Sequence, residues 1–203
     1  AGLKSTFSIY DADDSRRLMQ LVGRELDLDP KRYPPRSLAA QVSNLKNELV
    51  DPDAFTDRAT GPAQRVIAEA YQLYQRRLRE AHALDFDDLI MATVGLLQAN
   101  PAVAEKYRQR FRYVLVDEYQ DTNHAQYTLI KELVGTTGEL CVVGDADQSI
   151  YAFRGATIRN IMEFERDFPS SRTILLEQNY RSTQTILSAA NAVIARNTGR
   201  KPK

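Results

Sequence analysis

Two short apolar runs that each stop at an acidic residue constrain the fold of this chain more than any other feature. Residues 113–117 read Tyr-Val-Leu-Val-Asp, and residues 140–145 read Leu-Cys-Val-Val-Gly-Asp. Runs of this length and composition are typical of buried strands. A helical pattern at residues 123–134 separates them, and a strand, a helix and a strand within about thirty residues predict a right-handed unit with parallel strands. The sequence therefore predicts an α/β fold.

The same alternation extends on both sides of this unit. Helices are predicted at residues 86–99 and 102–111 before it, and a helix at about residues 157–167 and a third strand at residues 173–176 after it. A last helix is expected to turn four apolar residues inward, namely Ile186, Ala190, Val193 and Ile194. Residues 85–203 thus predict a parallel sheet with helices on both faces.

The first 84 residues carry a helical pattern. Glycine and proline number only 9 and 8 in 203 residues, which favours long helices over a turn-rich all-β fold. Amphipathic helices are predicted at residues 13–28, after Pro34 and at residues 62–81. Their core-facing positions are Leu18, Leu21, Val22 and Leu26, then Leu38, Val42, Leu45 and Leu49, then Ile67, Tyr71, Tyr74 and Leu78. Residues 1–84 are expected to form a small all-α domain without strands.

Positive and negative charges are balanced, with 27 basic and 27 acidic side chains. The balance also holds in each half, 13 against 13 up to Asp85 and 14 against 14 beyond it. A polyanion such as DNA must therefore be held by a local arrangement. We interpret Arg65, Arg76, Arg77 and Arg79 as a solvated helix surface in preference to a nucleic-acid contact. No apolar run reaches the ~18 residues of a membrane span, so we expect no membrane partner and a cytoplasmic location.

Asp117 and Glu118 are the strongest chemical signal, because an apolar strand delivers two adjacent carboxylates to a loop. Nucleotide hydrolysis on a parallel sheet uses such a pair, one carboxylate to hold Mg²⁺ and its neighbour to deprotonate the attacking water. Asp117 is the predicted metal holder. Glu118 is predicted to lie at the metal as well and to act as the base. For the pair taken alone, the alternative is a solvated acidic turn in which Asp121 caps the next helix.

Three stretches at the ends of the predicted strands resemble the motifs of one enzyme family. The stretches are residues 114–122 (Val-Leu-Val-Asp-Glu-Tyr-Gln-Asp-Thr), residues 144–156 and residues 176–183. They look like motifs II, III and IV of the superfamily 1 DNA helicases of the UvrD, PcrA and Rep class. The segment at residues 85–90 is similar to one that those proteins carry before motif II. The resemblance implies that residues 1–84 form the helical insertion called domain 1B and residues 85–203 part of the RecA-like domain 1A, of the P-loop NTPase type.

The resemblance also implies roles for residues around ATP. In the family pattern the position of Asp117 coordinates Mg²⁺ and that of Glu118 activates water. Gln148 matches the motif III glutamine near the γ-phosphate, and Arg181 matches a motif IV arginine that reaches the same phosphate. Tyr180 matches a tyrosine that stacks on adenine. The alternatives are a buried structural amide for Gln148 and a core tyrosine at the sheet edge for Tyr180.

Tyr151, Phe153 and Arg154 form the DNA-binding candidate. Two aromatic faces spaced two residues apart, with an arginine, are able to stack on the bases of a single strand. The family pattern usually reads Tyr-Arg-Trp-Arg, whereas this chain reads Tyr-Ala-Phe-Arg. Phe153 offers a smaller stacking surface, and Ala152 removes one positive group. The alternative is that both aromatic side chains fill core beneath the sheet.

The resemblance implies an ATP-dependent helicase that uses ATP and Mg²⁺ to move 3′ to 5′ along single-stranded DNA and to open duplexes at junctions. It implies work in repair or replication, with repair proteins as partners and the nucleoid as the location in a bacterium. The phosphate-binding Gly-x-x-x-x-Gly-Lys-[Ser/Thr] loop is absent, since none of the nine glycines precedes a lysine. The chain is expected to be an internal piece of a longer helicase, inactive by itself.

Two other functional classes stay open. One is a binding module derived from a helicase, which would dock DNA or a protein without hydrolysing ATP. The other is a metal-dependent nuclease built on Asp117, Glu118 and Asp145, which lacks a convincing neighbouring lysine or histidine for phosphodiester chemistry. A salt-dependent DNA titration tests the binding module, because removal of Tyr151 and Phe153 should weaken single-strand binding with little change in the salt slope if they stack on bases. Cleavage of DNA with Mg²⁺ alone would support the nuclease.

The segment at residues 85–90, Asp-Phe-Asp-Asp-Leu-Ile, is interpreted structurally. Asp85 is expected to cap the helix that follows, because an aspartate before an apolar periodic run is a common helix start. Phe86, Leu89 and Ile90 are expected to pack inward. No direct functional role is assigned to these residues.

Overall fold

The computed structural model describes residues 5–136, 138–149, 159–162 and 164–196. Two compact units emerge, the first comprising Ala1–Val114 and Asn123–Cys141 and the second Leu115–Thr122 and Val142–Lys203. No described helix combines the length and the apolar character that a membrane crossing needs.

Helices dominate the described residues, with four short strands among them. In chain order the elements are β1 (Ser8–Tyr10), α1 (Ala12–Glu25), α2 (Pro35–Asn47), α3 (Pro52–Arg58), α4 (Pro62–Glu80), β2 (Ala83–Asp85), α5 (Phe86–Ala99), α6 (Pro101–Arg110), β3 (Tyr113–Val116), α7 (His124–Val134), β4 (Glu139–Val142), α8 (Arg159–Met162), α9 (Phe164–Asp167) and α10 (Gln184–Ile194). Single 3₁₀ turns follow β3 and β4, at Tyr119–Asp121 and Ala146–Gln148.

Carboxylate caps and prolines set where the helices of the first unit begin. Asp11 accepts hydrogen bonds from the backbone N–H groups of Asp13 and Asp14, both at 2.9 Å, and so starts α1. Asp85 caps α5 as expected, in a reciprocal box with Asp88. Helices α2, α3, α4 and α6 each carry proline at their start, where its missing N–H costs nothing.

The core of the first unit lies between α1, α2 and α4. All four positions predicted to face inward on α4 are buried, and so are Val22, Leu38 and Val42. Leu21 and Phe86 were also expected inside, but both are more than half exposed. A face predicted from spacing alone is too wide at its edges, because only the packing partner decides where the buried stripe ends.

The expectation of a first domain without strands is wrong. β1 and β2 pair in parallel, with Ser8 opposite Ala83 and Tyr10 opposite Asp85. Strands of three residues are too short to show an alternating pattern. Their pairing also depends on two segments at opposite ends of the helical region, so nothing local in the sequence indicates it.

β3 and β4 form the second two-stranded sheet, and both strands were predicted. The N–H of Glu139 donates to the carbonyl of Arg112 at 3.0 Å, and the N–H of Val143 donates to the carbonyl of Val116 at 2.8 Å. Because the partners advance in the same direction along both segments, the strands are parallel. The predicted sequence of strand, helix and strand is confirmed by β3, α7 and β4, and the chain has a mixed α/β fold.

The prediction of a third strand at residues 173–176 is wrong. Residues 171–179 belong to no helix or strand, and Ile174, Leu175 and Leu176 are exposed. A β-branched run becomes a strand only where a neighbour supplies backbone hydrogen-bond partners. The helix expected at residues 157–167 is present as α8 and α9, within the residues that the structure describes.

Helix α10 forms where a last helix was predicted, but its apolar residues do not pack inward. Ile186 and Val193 are both more than half exposed. Helical periodicity indicates which face is apolar, but it carries no information about what covers that face.

Candidate active site

Asp117 and Glu118 follow β3 directly and lie at its carboxyl end. The Asp117 carboxylate accepts a hydrogen bond from the backbone N–H of Glu118 at 2.9 Å. Glu118 has φ 49° and ψ 42°, in the left-handed region, which costs a residue with a side chain about 1–2 kcal/mol. Both side chains are exposed. The loop thus holds a strained backbone and presents two adjacent carboxylates to solvent, as residues of active sites often do.

Hydrogen bonds hold this loop in place at both of its ends, one from the backbone and the others from a side-chain amide. The N–H of Tyr119 donates to the carbonyl of Val143 at 3.0 Å, beside the end of β4. At the other end, the buried amide of Asn160 on α8 donates to the carbonyl and the hydroxyl of Thr122, both at 3.1 Å. The carboxylates therefore lie on a loop that its neighbours keep fixed.

Tyr119 anchors the loop by packing its side chain into the protein interior. Its ring is fully buried and meets the ring of Phe164 edge to face, with centroids 5.5 Å apart. Burial raises the pKa of the Tyr119 hydroxyl to about 12, and the negative charge of Asp167 adds to this effect. Among the described residues, the hydroxyl has no hydrogen-bond partner. Tyr119 is therefore a packing residue, and the group offers no proton near neutral pH.

Gln120 is the residue of this site that the sequence did not single out. Its side chain is only 1% exposed. The amide Nε2 donates to Glu118 Oε2 at 2.7 Å, and Oε1 accepts from the backbone N–H of Asp145 at 2.9 Å. Gln120 thus joins the carboxylate after β3 to the backbone after β4. Its place in the stretch at residues 114–122, which resembles motif II, was the available signal.

Asp145 and Gln148 occupy the turn after β4. Asp145 starts the 3₁₀ turn by accepting from the N–H of Asp147 at 3.0 Å, and its other oxygen accepts from the side-chain amide of Gln148 at 2.9 Å. Gln148 is exposed, so it is not a buried structural amide. A path of hydrogen bonds runs from Glu118 through Gln120 and Asp145 to Gln148.

Tyr180 and Arg181 lie in the segment before α10. Asn179 shapes this segment by accepting from the N–H groups of Arg181 and Ser182, at 2.9 Å and 2.8 Å. Tyr180 is 92% exposed, so it does not fill the core. Within the described ranges, no hydrogen bond or ion pair connects Tyr180 or Arg181 to the residues at the ends of β3 and β4.

The three residues predicted to contact DNA, Tyr151, Phe153 and Arg154, lie outside the described residues. The structure does describe the five residues with predicted roles around ATP, namely Asp117, Glu118, Gln148, Tyr180 and Arg181. Of these, Glu118 and Gln148 are joined by the hydrogen-bond path above, and Asp117 is the direct neighbour of Glu118.

Asp117 and Glu118 make no ion pair with lysine or arginine in the part of the chain that is described. The same part contains no group of three or more His, Cys, Asp or Glu side chains that could hold a metal alone. Asp117, Glu118 and Asp145 therefore form no such three-residue group. One or two carboxylates suit a hard cation that takes its remaining oxygen ligands from water and phosphate.

Comparison with known proteins gives one family model and individual relatives that are all helicases. Residues 1–169 match the family described as the UvrD/REP helicase N-terminal domain. The ATP-dependent DNA helicase UvrD1 of Mycobacterium tuberculosis (strain ATCC 25618 / H37Rv) is 68% identical over 212 residues, which cover 100% of this chain and 28% of the relative. The ATP-dependent DNA helicase PcrA of Bacillus subtilis (strain 168) is 50% identical over 202 residues, which cover 100% of this chain and 27% of the relative.

The chain thus spans little more than a quarter of the length of these relatives. The match takes in β3 and β4 with the carboxylates at their ends, and it also includes the helical region before them. The family match covers well over half of the chain, and both relatives align along all of it. This chain belongs to the UvrD/REP helicase N-terminal domain family.

Proposed function

We propose that this chain is the part of an ATP-dependent 3′ to 5′ DNA helicase that carries the water-activating carboxylate. The observation that carries the proposal is the pair Asp117 and Glu118, exposed on a fixed loop and tied through Gln120 to the end of the next parallel strand. Ligands of open parallel sheets bind outside the carboxyl ends of the strands. The names of the relatives, ATP-dependent DNA helicases, support the same activity.

The active protein in this proposal is longer than the chain. Residues 85–203 would belong to a RecA-like domain 1A, and residues 1–84 would form its inserted domain 1B. The phosphate-binding glycine loop and a second motor domain would come from other parts of the protein. The isolated chain is therefore expected to show little or no ATP hydrolysis.

Asp117 is the proposed Mg²⁺ holder, with Glu118 beside it. The donor set suits the ion, because Mg²⁺ prefers oxygen ligands and usually combines one or two carboxylates with water and substrate phosphates. Bound there, Mg²⁺ would neutralise charge on the phosphates of ATP. Asp117 keeps one carboxylate oxygen clear of the hydrogen bond to the N–H of Glu118, so it has an oxygen to offer.

Glu118 is the proposed general base, which takes a proton from the attacking water. Gln148 would lie near the γ-phosphate, where an amide can hold both a phosphate oxygen and the water. Arg181 would reach the same phosphate and stabilise the charge that develops there. Tyr180, whose ring is open to solvent, would stack on the adenine.

Tyr151, Phe153 and Arg154 are the proposed contacts to single-stranded DNA. Aromatic rings stack on bases of any sequence, which suits a translocating motor. The preferred substrates would be junctions between single-stranded and double-stranded DNA. Repair proteins would be the partners, and the location would be the cytoplasm, at the nucleoid in a bacterium.

Glu118→Gln tests this proposal in the full-length protein. The change removes the base and keeps the shape, so we expect DNA-stimulated ATP turnover to fall at least about 10²-fold while ATP binding is retained. The matched control is Glu105→Gln on α6, because Glu105 is also exposed and also accepts from a glutamine amide, that of Gln109 at 3.1 Å. Turnover within a few-fold of the parent would remove Glu118 from this role. A parent protein that binds DNA but never hydrolyses ATP would favour the binding module.

A further inference from the structure

We propose that Gln120 is a positioning residue for hydrolysis, whose buried amide holds the Glu118 carboxylate in the orientation that the reaction needs. The inference rests on the proposed function, because it requires Glu118 to be the base. Gln120 would not touch ATP or water itself and would act only through Glu118.

The two hydrogen bonds of Gln120 fix which way its amide faces. Nε2 donates to Glu118 Oε2 at 2.7 Å, while Oε1 accepts from the N–H of Asp145 at 2.9 Å. If the amide were flipped, its carbonyl oxygen would face a carboxylate and its NH₂ group would face an N–H, so both contacts would become repulsive. Only one orientation satisfies both neighbours, and that orientation aims a donor at Glu118.

Glu118 needs such a partner because little else restrains its side chain. The side chain is exposed, and within the described ranges no lysine or arginine pairs with it. A glutamate with several free torsions would spend much of its time turned away from the reacting water. The Gln120 amide is the side-chain partner that restrains it.

Close packing prevents the Gln120 side chain from moving aside. A Cβ atom added to Gly144 would lie 2.7 Å from Gln120 Oε1 and 3.0 Å from Cδ1 of Ile161. The amide thus lies against the backbone at the end of β4, in space that only glycine leaves open. Its near-complete burial also keeps water from competing for the two hydrogen bonds.

Two substitutions in the full-length protein separate positioning from mere support of the fold. Gln120→Glu keeps an oxygen that accepts from the N–H of Asp145 but places a second carboxylate against Glu118. Gln120→Met keeps the length and removes both hydrogen bonds. We expect both variants to lower kcat for DNA-stimulated ATP hydrolysis about tenfold or more, with the KM for ATP within about twofold of the parent.

A purely structural role predicts a different pattern. In that case Gln120→Glu would match the parent in kcat, and only Gln120→Met would lose activity, together with a lower unfolding temperature. That result would overturn the proposal. If Gln120→Met does not fold, Gln120→Glu decides the question, because it retains the contact to Asp145. The matched control is Gln98→Met on α5, which removes another glutamine donor to a carboxylate, that of Glu132 at 3.1 Å, and should leave kcat unchanged.

A double variant shows whether Gln120 acts through Glu118. In a Glu118→Gln background, Gln120→Glu should cause less than a twofold further loss in single-turnover hydrolysis, because the base is already absent. A further tenfold loss would overturn the proposal. If Glu118→Gln alone leaves turnover intact, the proposed function fails. If Glu118→Gln abolishes turnover and Gln120→Glu does not, only the role of Gln120 fails.

Discussion

The molecule contains two groups of carboxylates in opposite environments, one buried around a cation and one exposed to solvent. In the first unit, Asp85 and Asp88 are buried around the ammonium group of Lys46, whose Nζ lies 2.6 Å from Asp85 Oδ2 and 2.8 Å from Asp88 Oδ1. In the second unit, Asp117 and Glu118 are exposed, and the described residues offer them no cationic partner. Burial of a charge requires compensation from within the protein, whereas an exposed carboxylate stays available to a ligand. Compensation thus marks the first group as structural, whereas the second stays open to a ligand, as the proposed function requires.

The Lys46 group includes further polar partners. The Tyr74 hydroxyl donates to Asp85 Oδ2 at 3.0 Å, and the amide of Gln75 donates to Asp88 Oδ1 at 3.0 Å. Lys46 Nζ also lies 5.0 Å from the centre of the Tyr74 ring, a cation–π contact. These contacts join α2, α4 and α5 through one ammonium group. The group is consistent with a structural clamp of the first unit.

The largest effect on stability is expected from Lys46→Met. The change leaves two carboxylates buried without their counter-ion, which typically costs about 3–5 kcal/mol. Urea unfolding of the purified chain measures the loss, with Lys106→Met on the exposed face of α6 as the control. A loss below about 1 kcal/mol would mean that water reaches the cluster, and the contrast between the two carboxylate groups would collapse.

A smaller effect is expected from Asp87→Asn, and it should depend on pH. Burial raises the pKa of Asp87 above its ordinary value of 3.8, opposed by a hydrogen bond from Ser43. The folded state then binds this proton more tightly than the unfolded state, so the contribution of Asp87 stabilises the fold below about pH 3.8 and is lost as the pH rises through the raised pKa. The free energy of unfolding of Asp87→Asn should therefore come to exceed that of the parent as the pH is raised from about 4 to about 7, by less than about 1 kcal/mol.

Unfolding curves at several pH values across that window test this prediction. Asp57→Asn, at an exposed aspartate of α3, is the matched control. If the difference between Asp87→Asn and the parent stays constant with pH, the carboxyl group is not desolvated in solution. Burial raises the pKa of Asp88 as well, and the charge of Lys46 opposes that rise. Lys46→Met should therefore make the free energy of unfolding depend more steeply on pH.

The smallest effect on stability is expected from Asp117→Asn. The side chain is exposed, and an amide oxygen can still accept from the N–H of Glu118, so the free energy of unfolding should stay within about 0.5 kcal/mol of the parent. In the full-length protein, ATP turnover should nevertheless fall at least about tenfold, and more Mg²⁺ should be needed for half-maximal rate. A stability loss comparable to that of Lys46→Met would mean that both carboxylate groups are structural.

Local patterns predicted the elements that local physics governs. The inward face of α4 follows from helical spacing, and the cap at Asp85 follows from an aspartate placed before an apolar run. β3 and β4 follow from apolar runs that stop at acidic residues, and those acidic residues are the candidate site. Each of these features depends on residues within a few positions of one another.

The features that were missed depend on distant partners. Lys46 looks like any surface lysine until Asp85, 39 residues further on, is brought to it. β1 is three residues long and exists because β2 lies beside it. The run at residues 173–176 pairs with no strand within the described ranges and stays out of both sheets. Spacing along the chain carries no information about these pairings.

The sequence by itself determined the strand, helix and strand that became β3, α7 and β4, the family, and the two carboxylates at the end of β3. Only the tertiary structure decided that Lys46 is buried between two aspartates and that Gln120 bridges Glu118 to the backbone of Asp145. The physical reason is the range of the interactions. Capping and amphipathic spacing act within one or two turns of chain, whereas burial of a charge or an amide becomes favourable only when residues from separate segments supply its partners.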